Sequence, residues 1–447
     1  MNYPNYTVGL WLTLGSLLSP MAQAQVRQLT MENAFKLAID KNRDVQVATL
    51  ETAKAAQKVQ EARGYGLPTV AASAQYLYYV NKQVSFLPGS FVGLGDDQLA
   101  MFRVGGSNAF LGGLAISQPL FQASVRSGIK AAQIDEFATN QALAEVRVTV
   151  ITDVKKAYLD VLITQEQLRL HQQSIARNEQ ALKDSRSLLA QGRASRVDTL
   201  RAYVTLENLR PTLIQLTNRI GITKTVLKRT MGLDEREEVE LQDSLRYDDA
   251  LFVSPGTDAF FDAVQARPDV RRLALVEQLN REQIAVQAAE KQPKLAAIGL
   301  VQSQSQANNF RLGDYHWPVS SYVGLQLNVP IFSGFRTNSR IQQAQLTRQQ
   351  SETQLANLKE IVRAQVKISL ANVQEARLRI QTQQQTITVA ELGYRITRDR
   401  WKQGIASRLE LTDAELSLTQ AKSNYLQAVY DYLTATVELD KVLGRIK

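Results

Sequence analysis

The residues best placed for chemistry in this chain are carboxylates beside two short, nearly identical turns. QGRASRVD occupies 191–198 and QGIASRLE occupies 403–410. In each, a serine stands three residues before an acid: Ser195 before Asp198, and Ser407 before Glu410. That spacing is a capping box, in which the hydroxyl accepts an orphan helix N–H. The carboxylate reaches back to the cap and favours the positive end of the helix dipole. Gly192 and Gly404 supply the backbone freedom that ends the preceding helix. Asp413 lies outside the box, so capping does not account for it. Other chemistry has little to work with. Cysteine is absent, which excludes disulfides, thiolate metal sites, cysteine catalysis and a lipid-modified N-terminal cysteine. Only His171 and His316 could ligate through imidazole, and neither has a motif around it. The glycine-rich stretch GSFVGLGDD lacks the Lys-Ser/Thr of a phosphate-binding loop, and no nucleophile–base constellation is present. The expectation is therefore no catalytic residue, no metal site, no cofactor and no enzyme.

The elements that carry these turns are long helices. Adding 212 to the first turn lands on the second, and the same offset holds far beyond it. Val154, Val161, Leu168, Ile175, Leu182 and Leu189 recur every seven residues, and so do Val366, Val373, Ile380, Ile387, Tyr394 and Trp401. Ala157, Thr164, His171, Asn178 and Ser185 fill the alternating three-four rhythm. Sustained heptads predict coiled-coil packing. After each glycine the pattern restarts, with Leu206, Leu213, Ile220 and Leu227 matched by Leu418, Tyr425, Tyr432 and Leu439. Each half is thus a helical hairpin, with turns at 191–195 and 403–407. The first helix, from about Ser124 to Leu189, would be on the order of 100 Å long. Nearer the N-terminus Asp44, Leu50 and Pro68 match Asp269, Leu275 and Pro293 at an offset of 225, so the first half carries an insertion after Pro68.

That interval reads as strand. TVAASAQYLYYV at 69–80 sets Val70, Ala72, Ala74, Tyr76, Tyr78 and Val80 on one face, with Ser73 and Gln75 on the other. A second run covers 108–121, and the later half mirrors both with PKLAAIGLVQSQ and SSYVGLQLNVPIF. At about ten residues each they suit tilted membrane strands with an apolar lipid face and a polar lumen face, or a soluble hairpin on a core. Residues 1–24 read as a signal peptide, with an apolar run from Val8 to Leu18 and small residues at Ala22 and Ala24. No Lys or Arg precedes that run, and the alternative is the start of a cytoplasmic chain. No later run approaches the roughly 18 apolar residues of a membrane helix. The net charge of +9 comes without a dense Lys/Arg block, so no nucleic-acid partner is expected. Four strands cannot close a barrel alone, whereas three chains would supply twelve.

At this point the chain resembles the TolC-like outer-membrane efflux proteins. The residues that carry the likeness are the two repeats, QPLF at 118–121 and VPIF at 329–332, the paired QGxAS turns and the ending YLTATVELDKVLG. The resemblance implies an α+β membrane protein: long coiled-coil hairpins in two repeats, and four transmembrane strands per chain. A homotrimer would then form a 12-stranded β-barrel in the outer membrane of a Gram-negative bacterium, continuing into a periplasmic α-barrel. It implies a first repeat over 25–232 (β-hairpin about 69–121), an equatorial segment over 233–260 and a second repeat over 261–447 (β-hairpin about 294–332). The expected function is the passive exit duct of a tripartite efflux or type I secretion system. Its partners would be a periplasmic adaptor, an inner-membrane efflux pump or ABC transporter, and outer-membrane lipid.

On the same resemblance the turns form the periplasmic tip. Glu410, Asp413, Asp198 and Trp401 are expected at its gate. Gly192, Ala194, Ser195, Arg196, Gly404, Ala406, Ser407 and Arg408 are expected at the adaptor-docking surface, with Ala194, Arg196, Ala406 and Arg408 exposed. Arg193, Arg196, Arg201 and Arg408 depart from a purely acidic entrance. The competing reading is an exported structural coiled-coil protein of the envelope, which explains heptads and export but not the strands.

Overall fold

A computed structural model describes residues 27–446 except 94, 96, 98 and 248–258. The signal-peptide segment and much of the 233–260 stretch lie outside the described residues. The elements run β1 (Arg27–Leu29), α1 (Met31–Lys41), α2 (Arg43–Gly64), β2 (Thr69–Tyr78), β3 (Gln83–Pro88), β4 (Leu99–Val104), β5 (Asn108–Phe121), α3 (Ala123–Ala190) and α4 (Arg196–Met231). They continue as β6 (Val239–Leu241), α5 (Ala259–Ala266), α6 (Pro268–Ala289), β7 (Lys294–Ala307), β8 (Val319–Asn328), α7 (Arg336–Lys402) and α8 (Arg408–Val442). The repeat survives in the element ends. Adding 212 to the first residues of α3 and α4 gives 335 and 408, within one residue of the starts of α7 and α8, and adding 225 to α2 gives the limits of α6.

The chain divides into two units. Among the described residues one gathers 43–149, 259–374 and 435–446. Its centre is an antiparallel sheet in the order β2-β5-β7-β8. The register puts Val70, Ala72 and Tyr76 opposite Ile116, Leu114 and Phe110, and places Val323, Leu325 and Leu327 on that same face. The other face carries Ser73, Gln75, Gln302, Gln304 and Gln326. The alternation read separately in each half thus becomes one apolar and one polar surface. The insertion after Pro68 forms an extra hairpin from β3 and β4. The two prolines behave differently: β8 ends before Pro330, whereas β5 runs through Pro119 with a register shift between Pro119 and Phe121. The ring lacks a ladder donor, so the strand continues only by a local irregularity.

The other unit gathers 27–42, 150–247 and 375–434. It is a helical assembly with one short parallel strand pair, β1 with β6. Tyr158 is fully buried in α3 and donates to the Leu29 carbonyl at 2.9 Å and to Asp243 Oδ2 at 2.7 Å, which ties the strand pair onto the helix. Burial, with the Asp243 carboxylate beside it, drives the phenol pKa far up. The heptad seam is where the spacing predicts: in this unit Val154, Val161, Leu182, Ile380 and Trp401 are buried, and so are Ala157, Thr164, Asn178 and Ser185, while in the first unit Val366 and Val373 are buried. His171 is half-buried and its Nε2 meets the Leu209 carbonyl at 2.8 Å. A carbonyl can only accept, so Nε2 carries the proton. That contact sits two residues before Pro211, whose missing N–H weakens the ladder of α4 at this turn.

Candidate functional site: the paired helical turns

Both turns use the same backbone device. Gly192 adopts φ 69° and Gly404 φ 77°, in the left-handed region that side chains disfavour. The Gly192 N–H then reaches the Leu189 carbonyl at 3.0 Å and the Arg193 N–H reaches that of Leu188 at 2.9 Å. Gly404 and Ile405 repeat this with Trp401 and Arg400, both at 2.9 Å. Orphan carbonyls at the end of α3 and α7 are satisfied in identical fashion.

The caps that follow differ. Ser407 and Glu410 form the complete box: the Ser407 N–H donates to Glu410 Oε1 at 3.0 Å, and the Glu410 N–H donates to Ser407 Oγ at 3.2 Å. These bonds, with Arg400 at 4.0 Å, hold the Glu410 carboxyl below the usual range. The first turn makes only half a box. Ser195 Oγ accepts from the Val197 N–H at 3.2 Å, and the Asp198 N–H bonds to the Ser195 carbonyl at 3.1 Å. The expected reciprocal bond from the Asp198 carboxylate is not among the described contacts. Asp reaches back one methylene less than Glu, and here the serine caps one residue earlier.

Around the second turn Trp401, Ala406 and Leu411 pack into one cluster, with Leu188 of α3 and Tyr394 of α7 against it. This corrects part of the docking expectation: Ala406 is buried, and Arg408 is only 3% exposed. The reason is packing. Ala406 plugs the cluster, and the Arg408 guanidinium lies 5.9 Å from the Trp401 ring centre. Ser195, Arg196, Gly192, Gly404 and Ser407 are exposed, and Ala194 is half-buried. Of the expected gate residues, Glu410 and Asp413 are exposed, Asp198 is half-buried and Trp401 is buried.

Burying Arg408 creates a charge cluster that the opening motif did not signal. None of its three guanidinium nitrogens has a hydrogen bond. Burial pushes its pKa down, opposed by Glu415, Tyr394, Asp184 and Asp198. Glu415, 4% exposed on α8, is pushed up by burial, opposed by Arg408, Arg177 and a hydrogen bond with Tyr394. Arg177 of α3 donates to Thr419 Oγ1 at 3.2 Å. Four helices therefore contribute charged or titratable groups: Arg177 and Asp184 from α3, Asp198 from α4, Tyr394 and Arg398 from α7, Arg408 and Glu415 from α8. The signal was in the heptads: Leu411 and Leu418 lie on the main seam of α8, which makes Arg408 and Glu415 its alternate seam positions. Beside Arg408 a groove of about 430 Å³ runs between α4 and α8, walled by Val197, Leu200, Val204 and Leu409. Among the described residues no group of three or more His, Asp or Glu is gathered to hold a metal ion.

The same architecture exists elsewhere. The outer membrane efflux protein model matches residues 34–233 and 261–445. The chain is 23% identical over 306 residues to the outer membrane efflux protein BepC of Brucella suis, a match covering 68% of this chain and spanning 65% of that protein's length. A membrane protein from Pseudomonas aeruginosa superposes with a TM-score of 0.75 at 18% identity, covering 92% of this chain and 93% of the other. The open-state MtrE outer membrane channel of Neisseria gonorrhoeae gives 0.74 at 20%, covering 93% and 88%. With two repeat-related hairpins, a sheet of one apolar and one polar face, and a family match over both repeats, this chain belongs to the outer membrane efflux protein family.

Proposed function

We propose that the chain is a passive exit duct through the outer membrane, assembled as a trimer and opened at the tip formed by its two helical turns. The observation that carries this is a four-stranded sheet with two unpaired edges. β2 and β8 each pair on one side only, and both are exposed along their whole length. In hydrocarbon every unpaired backbone group costs several kcal/mol, so such a sheet needs partners there. Three copies of four strands would close a twelve-stranded barrel, with the long helices continuing it as a periplasmic tube. In this reading 25–232 and 261–447 are the repeats and 233–260 the equatorial segment between them. Energy comes from an inner-membrane efflux pump or ABC transporter, joined to the duct by a periplasmic adaptor. The adaptor docks on the exposed turn residues Gly192, Ser195, Arg196, Gly404 and Ser407, with the half-buried Ala194 among them.

Threefold symmetry would bring Glu410 and Asp413 together as six carboxylates around one axis, where repulsion and cation attraction are both strong. Asp198 adds to this ring, and Trp401 anchors the second turn in its closed packing. The test has two parts. A heat-sensitive trimer extracted by detergent from the outer-membrane fraction supports the duct, and a soluble monomeric coiled coil sinks it. In planar bilayers, neutralising Glu410 and Asp413 or shortening Trp401 is expected to raise conductance; no change in any of them removes the gate assignment.

A further inference from the structure

All four strand–helix junctions lie at one end of the sheet, because antiparallel pairing brings the starts of β2 and β7 together with the ends of β5 and β8. The opposite end carries an aromatic cluster in which Phe110 lies 4.7 Å from Tyr76, 5.9 Å from Phe310 and 6.1 Å from Trp317, centre to centre. Along β5, Leu120 is ten residues beyond Phe110. At ~3.4 Å per residue and a tilt of ~40° that is ~26 Å of height, close to the ~25 Å apolar band between the aromatic girdles of membrane barrels. The junction end therefore falls at the second membrane boundary.

Its side chains are unusual for a surface turned to water. Ile331 is 91% exposed and Phe332 75%. Phe335, 70% exposed, holds φ 62°, a backbone conformation costly for a residue with a side chain, and its only ring contact among the described residues is Phe332. Arg126 and Lys130 of α3 follow Phe121 by five and nine residues, and Arg336 and Arg340 of α7 follow Phe335 by one and five; all are exposed and, among the described residues, none is in an ion pair. At ~1.5 Å per residue Arg126 and Arg340 sit ~8 Å beyond the aromatic side chains, about the depth of a headgroup layer, with Arg336 nearer to them and Lys130 farther. A cleft of about 720 Å³ is lined by both kinds of residue, Leu120 and Phe121 together with Arg126 and Lys130.

We propose that this junction is a belt that binds anionic phospholipid in the periplasmic leaflet of the outer membrane. The apolar side chains enter the acyl boundary, and the four cations hold headgroup phosphates, two of them in the cleft at the start of α3. The proposal rests on the outer-membrane reading above. A cation close to an anionic lipid surface contributes about a fivefold gain in affinity, so several acting together give a marked preference over zwitterionic lipid.

The test uses the intact trimer in nanodiscs of phosphatidylethanolamine with and without phosphatidylglycerol. Retained lipid is counted by native mass spectrometry. The parent is expected to retain phosphatidylglycerol preferentially, and R126Q/K130Q/R336Q/R340Q to lose the preference at least twentyfold. R126Q/K130Q alone, which leaves α7 intact, should lose it about fivefold or more and serves if the quadruple variant does not assemble. Equal retention of both lipids by the parent, or unchanged preference in R126Q/K130Q, overturns the proposal. Inorganic phosphate in excess should leave the lipid bound; displacement would make this a site for free phosphate and overturn the lipid assignment. A chain that conducts ions in bilayers but shows no lipid preference refutes the belt alone, whereas one absent from the outer-membrane fraction refutes the duct.

Discussion

Replacing Glu415 by alanine takes a carboxylate away from a guanidinium that has no hydrogen bond. Arg408 and Glu415 are both almost wholly buried, yet no ion pair within 4.0 Å joins them. Beyond 4.0 Å and at an effective dielectric of ~20, such a pair attracts by less than ~4 kcal/mol. Breaking a buried pair by removing one member costs ~3–5 kcal/mol when the geometry is close. Asp184 and Asp198 still face Arg408 after the change, so we predict ~2 kcal/mol for Glu415→Ala. Arg408→Met should cost about as much, because Glu415 then keeps only Arg177 as a cationic neighbour. The double replacement Arg408→Met with Glu415→Leu removes both desolvated charges and leaves apolar volume against Trp401. Buried pairs replaced in this way are often neutral or stabilised by ~1–4 kcal/mol. The double variant should therefore match or exceed the parent, with a coupling of ~4 kcal/mol between the two sites.

The assay is amide hydrogen exchange of residues 401–415 in the assembled protein, which reads the local opening free energy of the tip. Each single variant should accelerate exchange about thirtyfold, the equivalent of ~2 kcal/mol, and the double variant should restore protection. Additive single effects below ~0.5 kcal/mol would show that water reaches these charges in the native tip, and the argument from burial would fail.

Two further outcomes follow from the same turns. Ser407→Ala removes the hydroxyl cap and half of a reciprocal box, and should destabilise the start of α8 by ~1 kcal/mol, more than Ser195→Ala at the half box; equal exchange protection in the two variants would refute the difference. Burial raises the Glu415 pKa above its ordinary value, so the native state holds that proton more tightly than the unfolded chain. Stability from this group is therefore greatest at low pH and declines as pH rises from the ordinary carboxylate range through the raised pKa. Tip protection should fall across that window and be flat in Glu415→Gln, and an identical pH profile in both would reject the assignment.

Much of this fold could be read from spacing because coiled coils and β-strands are periodic. Val154 to Leu189 declared a helix seam, and the fixed offset to Val366 through Trp401 declared its copy; the structure follows both to within a residue or two. The strands were legible for the same reason, since a period of two separates faces even when no core is present. The β3–β4 hairpin was not: its two short strands are separated by a stretch containing Gly89, Gly93 and Gly95, and its pairing is made by contacts that no periodicity announces. The site was less legible than the fold. Its backbone devices were visible in Gly404 and Ser407, but burial of Arg408 depends on Leu188 and Tyr394 arriving from two other helices. Charges at alternate seam positions carried that information only in combination with the turn geometry.

That burial also determines what charge each turn displays. The two motifs are nearly the same in sequence, each with an arginine just before its acid. In the first, Arg196 and Arg201 are exposed while Asp198 is half-buried, so the surface is cationic. In the second, Arg408 is withdrawn beneath Trp401, and the motif's own charge left outside is Glu410, beside Asp413 and with the exposed Arg400 at 4.0 Å. The arginines in the motifs therefore do not cancel the acids of the second turn by proximity in sequence, because the closest of them is no longer at the surface. Packing at Ala406 and Leu411 thus withdraws from the second motif the arginine that the first motif displays, so two nearly identical motifs present different charges. Any motion that exposed Arg408 would bring a cation back beside Glu410 and Asp413.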